Sequence, residues 1–190
     1  EVVRSFLLSS HYRSPINYSE DNLREAKAAL DGLYFALRGH TAGVTPPADV
    51  FASPWGQRFA AAMDDDFNTR EAIAVLQELS GQINQRGREG GEIQSLVSEL
   101  LGLGALLGLV QQDPDHYFQG GGVITGYGPD VVVEARGAVY NEEYIDQLIA
   151  ERNQARAARD FGRADAIRDE LKGVGIVLED SGGETRWRRE

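Results

Sequence analysis

Apolar residues recur every three or four positions through most of residues 1–112, and this helical period is the feature that most restricts the fold. The clearest run follows Ser19, a favourable N-cap residue that has two acidic residues directly after it. Its apolar positions are Leu23, Ala26, Leu30, Leu33, Tyr34 and Leu37. A similar period precedes residue 10 and follows Trp55, Asn68 and Gly91. Amphipathic helices in this arrangement predict an all-α bundle over residues 1–112.

Glycines mark the places where this pattern weakens. Gly102 and Gly104 lie inside the last helical run, where each is expected to cost about 1 kcal/mol relative to alanine. Beyond that run, residues 113–141 are rich in glycine and show no helical period. We interpret residues 113–141 as a mobile linker, in which the three valines at 131–133 form a brief strand.

Residues 142–190 return to helical spacing. From Glu142 onward one arc of the predicted helix is apolar, and farther along the same arc is occupied by Arg152, Arg156 and Arg159. A face that changes from apolar side chains to arginine predicts a helix that leaves a core and meets a polar surface.

The end of the chain predicts a second helix and then a hairpin. Asp160 is a favourable N-cap for that helix, and the Lys-Gly pair at 172–173 is typical of a helix C-terminus. Two extended runs then flank a Gly-Gly turn, which predicts a β-hairpin. The hairpin would bring Asp180 and Trp187 close to the helical pair.

Charge is distributed unevenly along the chain. The chain holds 19 basic and 30 acidic residues, a net charge of −11. Residues 151–190 contain nine of each sign, which leaves ten basic and 21 acidic residues for residues 1–150. The acidic part repels a polyanion, whereas the arginine-rich end can accept one through few and selective contacts.

Several function classes lack the residues that they need. The sequence contains no cysteine, which excludes disulfides and thiol chemistry and is compatible with a reducing compartment. No apolar run approaches the roughly 20 residues of a membrane span. His11, His40 and His116 are too scattered to predict a zinc site, and the glycines at 120–128 lack the Lys-Ser/Thr of a phosphate loop. The aspartates at 64–66 lack the spacing of a calcium loop and predict an acidic turn at a helix end.

Three stretches together resemble a known family. Residues 155–189 follow the pattern ARxxRDFxRADxIRDELxxxGIVLEDxxxxTRWRR, residues 6–19 read FLLSSHYRSPINYS, and residues 63–69 read MDDDFNT. These stretches are similar, in the same order, to the C-terminal region of bacterial cysteinyl-tRNA synthetases. The resemblance covers the chain except for about residues 113–141.

The resemblance implies a fold and a parent protein. The fold would be a helical bundle of the class I synthetase anticodon-binding type over residues 1–112, the linker, and an anticodon-recognition module at 142–190 made of a helical hairpin and a β-hairpin. The parent would be a cytoplasmic, monomeric cysteine–tRNA ligase that uses ATP with magnesium and one zinc ion. The catalytic signatures of the family are absent here, so we expect this chain to hold no catalytic residue and no cofactor, and to be inactive alone. It opens inside an apparent helix and is expected to lack its natural N-terminus.

The resemblance also implies a set of tRNA contacts, with neither DNA nor a membrane as a partner. The residues expected to meet the anticodon bases are Arg156, Phe161, Asp165, Asp180 and Trp187. The residues expected near the tRNA backbone are Arg13, Arg152, Arg159 and Arg188. Bases of single-stranded loops are stacked on aromatic rings and read along their Watson–Crick edges. A carboxylate accepts from the N1–H and N2–H₂ donors of guanine, so Asp165 or Asp180 would select the first anticodon base.

Phe161 departs from the family pattern, which often has tryptophan at this position. Stacking on a base is retained with phenylalanine, but the indole N–H donor is lost. The alternative is that Phe161 only packs against the protein.

Two other interpretations remain open. The terminal arginines can form ion pairs with Asp165, Asp169 and Glu170, in which case the chain is a structural or protein-interaction module. A related cysteine ligase that acts on an amino sugar in thiol biosynthesis is a second alternative, although it lacks the LEDxxxxTRWRR ending. Without the resemblance, His11 would be interpreted as a structural histidine. With it, the neighbouring Arg13 is expected to contact a phosphate.

Overall fold

The computed structural model describes residues 1–119, 140, 142–181 and 184–189. The chain divides into two compact units, Glu1–Pro114 and Asp115–Glu190. The predicted strand at 131–133 and most of the predicted linker lie outside the described residues.

Unit 1 is a bundle of α-helices, as the helical period predicts. Its helices are α1 (Val2–Leu8), α2 (Glu20–Leu37), α3 (Pro54–Asp64), α4 (Thr69–Arg88) and α5 (Gln94–Leu106). Side-chain caps fix three of their starts. Ser19 accepts the backbone N–H of Asn22 at 3.1 Å, and Asn68 accepts that of Glu71 at 3.2 Å. Ser53 caps α3 in the same way.

Helix α4 is the centre of unit 1, because it packs against each of the other four helices of that unit. Its inward face carries Leu76, Leu79 and Ile83, which are almost completely buried. From α2, Tyr34 is also fully buried, and its hydroxyl donates to the carboxylate of Glu1 at 2.7 Å. Of the apolar positions predicted for α2, Ala26, Leu30, Leu33, Tyr34 and Leu37 are confirmed as buried, whereas Leu23 is partly exposed.

The glycines of α5 allow a close approach by other segments. A Cβ added at Gly102 would lie 2.8 Å from Val50, and one added at Gly104 would lie 2.3 Å from Val110. Both glycines are buried. The two glycines lower the helix propensity of α5, but the absence of a Cβ makes room for side chains of the flanking loops.

A short helix that the sequence analysis did not predict, α6 (Pro114–Gln119), lies at the start of the stretch interpreted as a linker. Pro114 at its first position has a backbone angle suited to a helix start, and Phe118 is buried. A helix of six residues is too short for a period of 3.6 to be recognised in the sequence.

Unit 2 contains the helical pair and the hairpin that the sequence predicts. Helix α7 (Glu142–Ala157) packs against α8 (Phe161–Gly173), and strands β1 (Ile176–Ser181) and β2 (Glu184–Arg189) form an antiparallel pair whose first strand contacts α8. The core of this unit consists of Ile145, Leu148, Ile149, Ile167, Leu171, Ile176 and Trp187.

No helix in the described part of the chain is long and apolar enough to span a membrane.

Candidate nucleic-acid interface

A buried arginine lies at the centre of the candidate site. Arg152 follows Ile145, Leu148 and Ile149 along one face of α7 and is only 6% exposed. Its guanidinium forms a two-pronged ion pair with Asp180 of β1, with Nη1–Oδ1 and Nη2–Oδ2 distances of 3.1 and 2.8 Å. The sequence predicted that the arginine face of α7 meets a polar surface. For Arg152 that surface is the β-hairpin of the same unit.

This pair offsets the cost of burying a guanidinium. A buried charge is tolerated when it is paired and its remaining donors or acceptors are hydrogen-bonded. Thr185 completes the arrangement, because its hydroxyl accepts from Arg152 at 3.4 Å and donates to Asp180 Oδ1 at 2.7 Å. The prediction that Arg152 contacts the tRNA backbone is wrong for this conformation, since the side chain is buried and committed to Asp180.

Asp180 also accepts from a second arginine of α7. Arg156 Nη1 lies 3.2 Å from Asp180 Oδ2, and both side chains are about half exposed. Hydrogen bonds from Arg152 and Thr185 hold the pKa of Asp180 well below its usual range, with the nearby charge of Arg156 adding to the effect. The pKa of Arg152 is raised, chiefly by the same hydrogen bond to Asp180. The site therefore keeps an ionised carboxylate at every physiological pH.

Helix α8 carries two further predicted residues. Phe161 is the first residue of α8 and is 62% exposed, so most of its ring is accessible, and its stacking on a base stays a prediction. Asp165 is one helical turn farther along, on the same face. It is exposed and has no hydrogen-bond or ion-pair partner among the described residues, yet it lies close enough to Arg152 to raise that residue's pKa.

The turn between α7 and α8 holds Arg159 in an unusual conformation. Its backbone N–H bonds to the carbonyl of Arg156 at 3.1 Å, and the next N–H, of Asp160, bonds to that of Ala155 at 2.8 Å. This pattern is a Schellman motif with Arg159 at the position usually taken by glycine, and its φ is 60°. Arg159 is exposed and has no partner in the described part of the chain. An arginine is thus held where glycine would be more stable.

Trp187 does not lie at the surface. It is 2% exposed within the core of unit 2, and its Nε1–H donates to Asp146 at 3.3 Å. A base cannot stack on a ring that is buried in this way. The prediction that Trp187 meets an anticodon base is therefore wrong for this conformation, and the residue instead holds β2 against the helical pair.

The remaining terminal arginines are mostly paired, but not with the expected acids. Arg163 pairs with Glu151 at 2.8 Å, and Arg188 pairs with Glu179 at 3.0 Å. Arg188 is therefore committed to a neighbour on β1. The expected partners Asp165, Asp169 and Glu170 form no ion pair in the described residues, and Glu170 instead accepts the hydroxyl hydrogen of Tyr140 at 3.0 Å.

Arg13 belongs to a separate cluster in unit 1. It lies 3.2 Å from Asp66, which also accepts from the hydroxyl of Tyr12 at 2.8 Å and lies 3.7 Å from His11. Asp66 follows the end of α3, as the predicted acidic turn requires. The Arg13 side chain remains about two-thirds exposed, so most of its guanidinium is accessible to solvent.

Sequence reasoning missed Thr185 and Asp146. The signal for Thr185 was present, because a two-residue turn at 182–183 places Asp180 directly opposite Thr185, which is the observed register. Nothing in the sequence pointed to Asp146, because an acidic residue on the outer side of α7 has no recognisable pattern. Within the described residues no group of three or more His, Asp or Glu side chains is placed to hold a metal ion.

Two family models match the chain within these units. Residues 58–111 match the DALR domain, and residues 142–188 match the cysteinyl-tRNA ligase anticodon binding domain. The chain therefore carries the anticodon-binding region of an aminoacyl-tRNA synthetase. It is a DALR domain followed by the anticodon binding domain of the cysteinyl-tRNA ligases.

Similar proteins agree with this assignment. The chain is 50% identical over 192 residues to a cysteine–tRNA ligase of Halorhodospira halophila and 49% identical over 195 residues to that of Alkalilimnicola ehrlichii. It is 46% identical over 189 residues to a cysteine–tRNA ligase of Pseudomonas aeruginosa. These matches cover 99–100% of this chain but only 37–38% of the relatives, so the chain spans little more than a third of their length.

Proposed function

We propose that unit 2 reads the anticodon of a cysteine tRNA through Phe161, Asp165, Arg156 and Asp180. The observation that carries this proposal is the combination of an exposed aromatic ring and an open carboxylate on α8 with the Arg156–Asp180 pair, in a domain of the anticodon-binding family. Each group matches a part of an unstacked nucleotide. The aromatic ring can stack on the face of the base, the carboxylates can accept from its donors, and the guanidinium can donate to its acceptors or to a phosphate.

Stacking on Phe161 would supply affinity, whereas the carboxylates would supply selectivity. Stacking of a base on an aromatic side chain contributes about 1–3 kcal/mol and tolerates any base. Guanine offers two adjacent donors, N1–H and N2–H₂, that a carboxylate accepts, whereas adenine has no proton at N1. Asp165 and Asp180 would therefore favour guanine at the first anticodon position.

The longer parent protein would perform the chemistry. We infer that it is a cysteine–tRNA ligase of the cytoplasm, that it acts as a monomer, and that it joins cysteine to tRNA with ATP, magnesium and zinc. The described residues hold no group of three or more side chains placed to bind a metal ion, and the sequence contains no cysteine to bind zinc. This chain would supply tRNA binding without activity of its own. Arg13, in unit 1, is proposed as a phosphate contact.

Binding to an anticodon stem-loop tests the proposal directly. The 190-residue chain is titrated at fixed moderate salt with a labelled cysteine-tRNA stem-loop and with a version that has adenine in place of the first-position guanine. We expect preferential binding of the guanine form, and Asp165→Asn should reduce the preference. Asp169→Asn is the matched control, because Asp169 is an exposed acid one turn farther along α8 that has no partner among the described residues.

A structural module is the competing function, and the internal Arg152–Asp180–Arg156 network favours it. If the arginines serve only the fold, the stem-loop will not bind at low salt. Phosphate contacts instead predict an affinity that falls steeply as salt increases. Equal binding of both stem-loops would exclude base reading while leaving phosphate binding in place.

Arg159→Gly separates stability from RNA binding. We expect unit 2 to become more stable by about 1 kcal/mol, because glycine occupies the left-handed conformation without the steric cost that arginine bears. We expect the same substitution to weaken stem-loop binding and to lower the salt dependence by roughly one phosphate contact. Thermal unfolding and titrations at several salt concentrations provide the two measurements.

Arg168→Gln is the control for the loss of one positive charge, since Arg168 is exposed on α8 and has no partner among the described residues. It leaves the α7–α8 turn unchanged. If both variants weaken binding equally, Arg159 contributes only to the net charge.

A further inference from the structure

All the acceptor positions of Asp180 are occupied in the free protein. Oδ1 accepts from Arg152 and from Thr185, and Oδ2 accepts from Arg152 and from Arg156. An ionised carboxylate offers about four lone-pair sites, and these four bonds use them. Asp180 therefore cannot accept from a base until one of its present donors leaves.

The four bonds differ in how easily they can be replaced. The two from Arg152 come from a buried guanidinium, and removing them would leave a buried charge unpaired. The bond from Thr185 is short, at 2.7 Å, and the residue is held opposite Asp180 by the hairpin register. The bond from Arg156 is the longest of the four, at 3.2 Å, and comes from a side chain that is 51% exposed. Exposed ion pairs of this kind contribute little net stability.

We propose that Arg156 is the exchangeable donor of Asp180: it occupies Oδ2 in the free protein and is replaced there by the donor edge of a guanine when the anticodon binds. Arg152 and Thr185 are positioning residues that keep the carboxylate fixed during the exchange. The released guanidinium turns to a phosphate or to an acceptor edge of the RNA. This inference rests on the proposed anticodon-binding function.

The exchange makes the site selective in two ways. One donor of guanine, N1–H or N2–H₂, replaces the one that leaves, so the number of hydrogen bonds to Asp180 is maintained. Adenine presents its N6–H₂ donor next to N1, whose lone pair would face and repel the carboxylate, so Arg156 remains in place. The guanidinium also neutralises Asp180 in the free protein, so an approaching phosphate meets a paired carboxylate and not an open negative charge.

Side-chain NMR of the full chain tests the exchange. Arginine side-chain nitrogens and aspartate carboxyl carbons are labelled, and the signals of Arg152 and Arg156 are assigned from Arg152→Lys and Arg156→Lys variants. The protein is then saturated with the guanine stem-loop and, separately, with the adenine stem-loop. Arg163 is the matched internal control, because it has similar exposure and pairs with Glu151 away from Asp180.

With guanine we expect the Arg156 and Asp180 signals to shift, while those of Arg152 and Arg163 keep their free-protein positions. With adenine at equal occupancy the Asp180 signal should stay in place. Arg156→Ala should weaken binding of the guanine stem-loop on the order of tenfold and that of the adenine stem-loop less, because only the guanine complex releases Arg156 to the RNA.

Two failures can be told apart. If binding is selective for guanine but the Arg156–Asp180 contact persists at saturation, the exchange is wrong, Asp180 is a positioning residue for Arg156, and Asp165 carries the selectivity. If neither stem-loop is preferred, the proposed base reading itself is wrong, and the exchange with it. An equal loss of affinity for both stem-loops in Arg156→Ala would also overturn the exchange, because Arg156 would then contact the RNA whichever base is bound.

Discussion

Trp187→Ala is expected to destabilise unit 2 by about 3–5 kcal/mol, the usual cost of truncating a buried tryptophan. The ring is 2% exposed and packs in the core of this unit, which is built from few residues. Its loss removes the contact that holds β2 against α7 and α8. Because a small module has little stability to spare, we expect most of its molecules to be partly or fully unfolded.

Hydrogen exchange at the backbone amides of α7 and α8, followed by mass spectrometry, measures this effect. Protection in both helices should fall sharply in Trp187→Ala. Trp187→Phe keeps an aromatic ring but loses the bond to Asp146, and should cost about 1–2 kcal/mol. Val174→Ala, at a partly exposed position after α8, is the control and should change protection little. A loss of less than 1 kcal/mol in Trp187→Ala would show that the ring is not a core element.

The consequence for RNA binding is indirect but large. Asp180 and Thr185 are on the two strands that Trp187 fastens to the helices, so unfolding of the hairpin separates the carboxylate from Arg152. Trp187→Ala should therefore lose guanine selectivity although no base touches the ring. The phenylalanine variant should retain it, which distinguishes a packing role from stacking on a base.

The sequence predicted the helices and the hairpin well because local signals define them. Ser19 and Asp160 each act as the predicted N-cap, and β1 and β2 pair in the register that a two-residue turn predicts. These features depend on residues within a few positions of one another. Helix α6 was missed because six residues are too few to show a period.

The candidate site was harder to predict, because burial depends on contacts between distant residues. Arg152 and Arg156 are one turn apart on α7 and looked equivalent, yet one is buried and the other half exposed. The difference arises from the hairpin, which returns to cover the first of them 28 residues later in the chain. Trp187 was misjudged for the same reason, since an aromatic residue among arginines suggests a surface until its packing partners are known.

Asp180→Asn has the second large expected effect. The amide presents N–H donors where the carboxylate accepted from Arg152, and it leaves the buried guanidinium without a counter-charge. Removing one partner of a buried ion pair usually costs about 3–5 kcal/mol. Because Asp180 is nearly half exposed, water screens part of that loss, and we expect about 2–3 kcal/mol.

The pH dependence follows from the lowered pKa of Asp180. In the unfolded chain an aspartate titrates near a pKa of about 3.9, whereas in the folded protein Asp180 stays ionised to lower pH. The ion pair therefore contributes its full stability above about pH 5, and this contribution is lost progressively as pH falls from there toward the folded-state pKa. The stability difference between the wild type and Asp180→Asn should be constant from pH 7 to about 5 and shrink in more acidic solution.

Tryptophan fluorescence can isolate this effect in unit 2. The chain has only two tryptophans, so in a Trp55→Phe background Trp187 is the sole reporter. Urea unfolding is followed between pH 7 and 2.5, with Asp169→Asn as the control that removes an exposed carboxylate without a partner among the described residues. A stability difference that stays constant or widens in acid would contradict the assigned ion pair.

Stability and base reading at Asp180 can then be separated. The Asp180→Asn variant is studied at neutral pH without urea, after hydrogen exchange has been used to check that it is folded. Its discrimination between guanine and adenine stem-loops should fall by about 1–3 kcal/mol. A folded variant with unchanged discrimination would mean that Asp180 supports only the hairpin. Asp165 would then be the reading carboxylate, because it is exposed on the same face of α8 as Phe161 and has no hydrogen-bond or ion-pair partner among the described residues.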